Sequence, residues 1–417
     1  MLLRRSEFGR DSTMKALIAG AGIAGLAAGI ALRRAGLEVQ IFERSTELRE
    51  IGAGLMIWPN GSRALKSLGV EVRNVEVRKV TLASSHGRHL TEMPVDSAYE
   101  RYGSNVSFVH RADLQAALAK SFGPQGLHLR CEVLSFAEDE SKVEVGLKDG
   151  TIATGDLLVG ADGLRSSVRR QLLGDGDPTY QGSTMWRGLV ASGGMVLPPG
   201  CGINWWGRGS EFLAFHLAGE TIYWAGVTKE PQGERPGPEG HKKDLLERFG
   251  DWAQPVPALI EATHEAAILR NDMYDRPPVA SWSRGKVTLA GDAAHPMTPN
   301  QGQGACQALE DGVALGESLE RTSSLAEAFQ LYERRRLRRA NREVALSRQA
   351  TRGVQIDNLL LCALRDGFMS MLPGRLIAKI QDASLASDAV GSCARASSRW
   401  GWRVNKHVRH FMFRRSS

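Results

Sequence analysis

Long apolar runs are missing from this 417-residue sequence. No stretch approaches the roughly 20 apolar residues that a membrane-spanning helix needs. Cysteine is scarce and scattered: Cys131, Cys201, Cys306, Cys362 and Cys393 are odd in number and include no CxxC pair. That pattern speaks against a disulfide framework and against a zinc site, and for reduced thiols in a cytoplasmic protein. No metal ligand set is read. No apolar core follows Arg4 and Arg5, so no secretory signal is read, and the first 13 residues read as a loose extension ahead of the first strand.

Acid is missing from one place. From Arg395 onward Arg395, Arg399, Arg403, Lys406, Arg409, Arg414 and Arg415 face no Asp or Glu. Those seven cations equal the formal net charge of the whole chain, +7, so the remainder is near neutral. A basic footprint spread over a folded face is therefore not expected, and neither is nucleic acid as a partner. The tail mixes its cations with Trp400, Trp402, Phe411 and Phe413. That mixture reads either as a basic surface tail or as a peripheral membrane contact. Internal repeats and low-complexity segments are also missing.

What is present begins with a buried strand at 15–20, a glycine-rich turn, a helix over 23–36 that ends at Gly36, and an alternating strand over 37–43. Gly20-Ala21-Gly22-Ile23-Ala24-Gly25 fits G-x-G-x-x-G. Gly20 permits the tight turn, Gly22 lets the backbone approach a pyrophosphate, and Gly25 lets the helix pack on the strand. The helix N-terminus offers free N–H groups and partial positive charge to phosphates. Glu43 ends the second strand, 23 residues after Gly20, where a carboxylate accepts ribose hydroxyls. This unit predicts dinucleotide binding without separating FAD from NAD.

Two more strand-to-loop segments follow. Asp156-Leu-Leu-Val-Gly-Ala-Asp162-Gly163 is a buried strand running into a polar turn. Gly291-Asp292-Ala-Ala-His295-Pro296, then Pro299-Asn-Gln-Gly302-Gln303-Gly304-Ala305, is a second such loop, dense in glycine. A helix is expected over 303–319, a long charged helix over 325–350, and a surface loop over 229–240.

The three motifs in this order resemble the class A flavoprotein monooxygenases, the family of p-hydroxybenzoate hydroxylase, from about Met14 to about Gly353. Ile57-Trp58-Pro59-Asn60-Gly61 and His110-Arg111-Ala-Asp-Leu resemble its salicylate and urate hydroxylase branch. The resemblance implies an α/β fold: a Rossmann-like FAD-binding domain interlocked with a mixed β-sheet substrate domain, plus C-terminal helices. The expected division is 14–80, 106–177 and 281–322 for the FAD-binding parts, 81–105 and 178–280 for the substrate domain, 323–392 for C-terminal helices, and 393–417 for the basic tail.

The same resemblance implies FAD as cofactor and NADH or NADPH as reductant, with no second G-x-G-x-x-G for the nicotinamide. Glu43 and Arg44 are expected on the adenosine half, with Leu134 near the adenine. Gly20, Gly22, Ala24 and Gly25 are expected at the pyrophosphate. Arg111 would reach the flavin side of the pyrophosphate and ribityl chain. Asp162 falls in a segment that serves FAD and the nicotinamide nucleotide. Asp292 is expected on the ribityl chain, and the Gly302, Gln303, Gly304 and Ala305 amides at the pyrimidine edge of the flavin. His295 is expected to pack near the flavin without acid–base work. In the family the carbonyl of a proline matching Pro299 orients oxygen transfer from a flavin C4a-hydroperoxide.

The middle segment, rich in aromatics, is expected to form a sheet above the flavin. Trp186, Trp205, Trp206, Phe212, Phe215, Tyr223 and Trp224 together suggest a large apolar pocket for a ring. Arg187 is a candidate for pairing with an anionic or carbonyl oxygen, and His216 for taking a proton from a phenol or enol. The arginine that serves urate hydroxylases has no clear counterpart, while salicylate-like acids stay open. The implied activity is hydroxylation or epoxidation of an electron-rich aromatic or heteroaromatic small molecule with O2. A halogenase is not expected, because the W-x-W-x-I-P element is missing. A reductase or desaturase of the same superfamily, or a non-catalytic flavin-binding redox sensor, stays open because the FAD motifs do not report oxygen use.

Overall fold

Strand Lys15–Ala19 carries four consecutive buried residues after its first, so it can lie inside a sheet covered on both faces. The chain leaves it through Gly20 at φ +97°, where an added Cβ would sit 2.5 Å from the Ala161 carbonyl oxygen. Only glycine fits both the dihedral and the close approach. Helix Ile23–Arg34 follows, Gly36 at φ +89° stops it, and strand Glu38–Glu43 returns parallel to the first. The computed structural model describes residues 13–48, 53–95, 98–193, 197–233, 237, 239–374, 376 and 384–385. The basic tail at 393–417 and the extension before residue 13 lie outside them.

The first strand is the fourth of a six-stranded sheet in the order Ser283–Arg284, Val287–Leu289, Leu157–Gly160, Lys15–Ala19, Glu38–Glu43, Leu127–Leu129. All its pairs are parallel except the short first one. A second sheet has seven strands: Leu269–Asp275, Thr179–Ala191, Thr221–Lys229, Ser210–Leu217, Cys201–Trp206, Lys79–Ser84 and His89–Pro94. It is mixed, because Cys201–Trp206 pairs parallel with Lys79–Ser84 while its other side is antiparallel. The chain passes from the first sheet to the second and back, twice. This is the interlocked α/β architecture, and helices Gly304–Arg321, Leu325–Val354 and Leu359–Met371 follow it.

Strand periodicity sorts the aromatic residues of the second sheet. Trp186, Trp205, Phe212 and Trp224 point to one face and form a core with Phe249, Leu259 and Ile260, residues of helices His241–Phe249 and Val256–Ala262. Phe215 and Tyr223 point to the other face, toward the first sheet. The expectation of one aromatic-walled pocket is therefore corrected. Most of these rings are buried against helices, because neighbours along a strand alternate in direction.

Helices Ile23–Arg34 and Gly304–Arg321 pack through a seam of small residues. An added Cβ at Gly312 would lie 2.6 Å from the Ala27 carbonyl carbon, and one at Gly316 would lie 2.7 Å from the Ala31 Cβ. Ala24, Ala27, Ala28, Ala31, Ala308 and Ala314 are all buried around them. The two helices start at the carboxyl edge of the same sheet, so the seam brings their N-termini side by side.

Helix Leu359–Met371 inverts the usual pattern. Leu359, Leu360, Leu361, Leu364, Phe368 and Met371 face solvent, while Asp366 is buried and pairs with Arg365.

Gly312→Val is expected to lower stability by about 1–3 kcal/mol, the range for overpacking a tight contact, and to weaken flavin retention. Urea denaturation and flavin content after gel filtration check this. Wild-type stability and full flavin content in the variant would contradict the role given to the seam.

Candidate active site

A cavity of about 870 Å³ runs from the glycine turn to the inner face of the second sheet. That volume lies within the range of ligand and cofactor sites. Gly20, Gly22, Ala24, Glu43, Arg44, Arg111, Leu134, Asp162, Asp292, Pro299, Gly302, Gly304 and Ala305 all line it. Residues singled out from 20 to 305 in the chain thus meet around one space.

Both helix N-termini open into it. In helix Ile23–Arg34 the first intrahelical bond is Leu26 N–H to Gly22 O at 3.0 Å, which leaves the preceding amides without helical acceptors. In helix Gly304–Arg321 the first is Gln307 N–H to Gln303 O at 2.8 Å. An added Cβ at Gly22 or at Gly304 would meet no atom within 4 Å; at either position a side chain would enter the cavity instead. Gly25 lies one layer back, where an added Cβ would overlap the Gly20 carbonyl oxygen at 1.9 Å. It serves the helix–strand contact.

Glu43 is fixed from both sides. Ala21 N–H donates to its Oε2 and Ser45 N–H to its Oε1, each at 2.8 Å. A carboxylate accepts about four hydrogen bonds, so each oxygen keeps a lone pair for a sugar hydroxyl. Leu134 stands 52% exposed at the same end, an apolar surface for a flat base.

Asp162 lines the cavity and is anchored within its own turn. Its Oδ2 accepts from Ser167 N–H at 2.8 Å and Oδ1 accepts from the Ser166 hydroxyl at 2.5 Å. The side chain stabilises the turn into helix Ser167–Leu173.

Asp292 is exposed to the cavity and makes no hydrogen bond with a described residue. Its loop is clamped from behind. Asp311 Oδ2 accepts from Gly291 N–H at 2.8 Å and lies 2.6 Å from His295 Nε2, while Arg336 Nε donates to Asp311 Oδ1 at 2.8 Å. Arg169 donates to the Ala293 and Ala294 carbonyls at 3.0 and 2.8 Å. His295 is buried in this clamp against Trp282 and does not line the cavity. Arg111 faces Asp292; burial pushes its pKa down, and the charge of Asp292 opposes that.

Gln303, expected at the site through its backbone amide, has a separate role for its side chain. Its side chain is buried, accepting from Asn60 Nδ2 and Gln307 Nε2 at 3.0 Å each. It braces the loop from outside the cavity.

At the sheet end, Tyr223, Phe215, Leu213, Ala225, Val227 and Met185 form an apolar floor. Burial pushes the Tyr223 phenol up to about 12, against the nearby Arg187 and Arg111, so its hydroxyl is neutral. Arg187 pairs with Ala225 in the sheet and so shares this face; Nη2 donates to Asn271 Oδ1 at 2.5 Å, outside the cavity lining. His216 pairs with Ile222 and shares the parity of Phe212 and Trp224. It therefore faces away from the cavity, and its expected proton-transfer role has no geometric basis.

Sequence reasoning missed Glu211, Asn204 and Asn300, which line the sheet end. A lone acid in an alternating strand looks like a solvated side chain. The signal available was parity, since Glu211 falls on the same face as Leu213 and Phe215.

A family model described as FAD binding domain matches residues 13–347. Aurachin C monooxygenase/isomerase of Stigmatella aurantiaca is 39% identical over 360 residues, covering 85% of this chain and 94% of that protein. The 3-hydroxybenzoate 6-hydroxylase 1 of Aquipseudomonas alcaligenes is 34% identical over 348 residues, covering 80% and 88%. The crystal structure of Klebsiella pneumoniae HpxO complexed with FAD and uric acid superposes with a TM-score of 0.84 at 30% identity, covering 90% of this chain and 97% of that one.

The Asp311 clamp carries a pH signature. Burial pushes its carboxyl up, but His295 and Arg336 outweigh burial and hold it at about 2, against the ordinary 3.8. A depressed folded pKa stabilises the protein above the unfolded value, and that contribution is lost as pH falls toward the folded value. Melting temperature should therefore drop between about pH 4 and about pH 2, with a shallower drop in Asp311→Asn. Equal slopes in the two proteins, followed by circular dichroism, would contradict this assignment.

Proposed function

Since the chain belongs to the class A FAD-dependent monooxygenases, we propose that it uses NADH or NADPH and O2 to insert one oxygen atom into an electron-rich aromatic or heteroaromatic small molecule. The observation that carries this reading is the single cavity joining the glycine turn to an apolar sheet face. A redox cofactor and a ring compound can share it.

The residues present fit FAD. Gly22 and Gly304 leave open the space that a side chain would fill, and two helix N-termini offer amides to anionic groups. In this reading Glu43, Arg44 and Leu134 hold the adenosine half. The amides after Gly20 hold the pyrophosphate, with Arg111 beside it, and Asp292 holds the ribityl chain. The amides of Gly302 to Ala305 face the pyrimidine edge of the ring, where donors and a helix N-terminus stabilise negative charge. Bound there, FAD would take hydride from the nicotinamide and activate O2 for transfer to the substrate.

The chain's own contribution is positioning and exclusion of water. The floor of Leu213, Phe215, Ala225 and Val227 supplies apolar contact for a ring. Tyr223 offers a neutral hydroxyl as donor. Pro299 opens the short helical turn Pro299–Gln301 at the cavity wall, where its carbonyl can orient the reacting group. Arg187 serves at the rim.

The test is anaerobic stopped-flow reduction of the bound flavin by NADH and by NADPH, with and without a panel of phenols, hydroxy-acids, quinolones and quinones. Reduction by at least one nicotinamide, accelerated roughly tenfold or more by a ring compound, is expected. A flavin that neither nicotinamide reduces with any panel member would contradict the proposal.

A further inference from the structure

A buried acid stands at the sheet end of the cavity. Glu211 is 8% exposed and lines the cavity on strand Ser210–Leu217. On the same sheet face it pairs with Val227, which pairs in turn with Met185, and Leu213 lies two residues along. Its surroundings on that face are thus apolar, with two amides, the Trp206 indole and, further off, Arg365 as polar neighbours. Asn204 Nδ2 donates to Oε2 at 3.1 Å, and Asn300 Nδ2 donates to Oε1 at 2.7 Å.

Those amides set the carboxyl plane. The Asn300 amide has its orientation fixed by Thr351, whose hydroxyl donates to Asn300 Oδ1 at 2.7 Å. Asn300 follows Pro299, so the carboxyl is tied to the loop that enters helix Gly304–Arg321. Among the described residues no cation lies within ion-pair distance of Glu211. Burial pushes its pKa up, and Asn204, Asn300, Trp206 and the charge of Arg365 oppose this. The two amides leave part of its capacity of roughly four acceptor positions unused, and the residue lines the cavity beside the apolar floor. The cation that shares this face, Arg187, sits roughly 12 Å away by strand spacing.

We propose that Glu211 is the recognition residue for the substrate: it accepts a hydrogen bond from an O–H or N–H group on a neutral aromatic or heteroaromatic ring, and it rejects rings that carry a carboxylate. The inference rests on the cavity being the site of ring oxygenation, and it narrows the substrate class of that site. A buried acceptor without a direct ion pair gains most from a donor that water no longer supplies. A carboxylate placed beside it would bury two like charges together, a form of selection by repulsion. The same hydrogen bond moves electron density from the donor atom into the ring, which favours attack by an electrophilic oxygen.

The test is equilibrium binding to the FAD-loaded protein, read from the perturbation of flavin absorbance, with 2-naphthol and 2-naphthoate as probes. They share a ring system and differ in bearing a hydroxyl donor or a carboxylate. The wild-type protein is expected to bind 2-naphthol at least about tenfold more tightly. Glu211→Gln is expected to bring the ratio below about threefold, through weaker naphthol binding and stronger naphthoate binding. Glu211→Asp, which keeps the charge, is expected to keep the preference for naphthol, and stands in if the Gln variant loses FAD. Equal wild-type affinities, no binding of naphthol at about millimolar concentration, or an unchanged ratio in Glu211→Gln would overturn the proposal. Reduction by nicotinamide is a separate readout. Glu211-dependent discrimination in a protein that no nicotinamide reduces would sink the monooxygenase reading and leave the recognition site standing.

Discussion

The glycine–alanine seam between helices Ile23–Arg34 and Gly304–Arg321 is the contact on which the site depends. Ordinary helix pairs stand about 8–10 Å apart; Gly312 and Gly316 let this pair close onto the Ala27–Ala31 backbone. Both helices run from the carboxyl edge of one sheet, so their N-termini arrive together. Each carries about half a positive charge, and two such ends side by side repel. An anion between them converts that repulsion into binding energy. The arrangement is therefore predisposed to a dinucleotide, and any ligand that binds only the folded state stabilises it in return.

The second constraint grows from the first. Asp311 precedes Gly312 on the same helix, so the seam also fixes where Asp311 points. It collects Gly291 N–H, His295 and Arg336 in a fully buried set. Buried charges of this kind are tolerated only when paired and hydrogen-bonded. With Arg169 holding the Ala293 and Ala294 carbonyls, the loop is fixed on both sides of Asp292. Its carboxylate faces the cavity while its neighbours are immobilised. Arg111 then finds its counter-charge at that position.

Much of this was legible in the residues. Gly20, Gly22 and Gly25 announced the turn because each has a separate steric reason to lack a side chain. Glu43 and Asp292 stood at strand ends where a cofactor-binding acid belongs. The rest depends on packing partners that sequence periodicity does not name. Trp186, Phe212 and Trp224 alternate as strand residues should, yet helices His241–Phe249 and Val256–Ala262 decide that their face is core. His216 shares their parity and goes with them. Asp162 lines the cavity and also caps its own turn, which only the placed Ser166 and Ser167 reveal. The Gln303 side chain braces the cradle through Asn60 and Gln307, partners that the sequence does not name. Glu211 carries no mark in the sequence, because nothing along its strand says which face lines the cavity. Gly312 and Gly316 carry no mark either, because a seam is visible only when both helices are placed.

One fixed cradle meets one apolar floor in a single cavity, and the proposed chemistry passes an oxygen atom from O2 between them. The most direct measurement is isotopic. Turnover with a nicotinamide and a hydroxyl-bearing ring compound under ¹⁸O₂ in ordinary water is analysed by mass spectrometry. The account predicts a product carrying one ¹⁸O atom. Product oxygen drawn from water, or consumption of O2 to peroxide with no labelled product from any ring compound that accelerates flavin reduction, would contradict it.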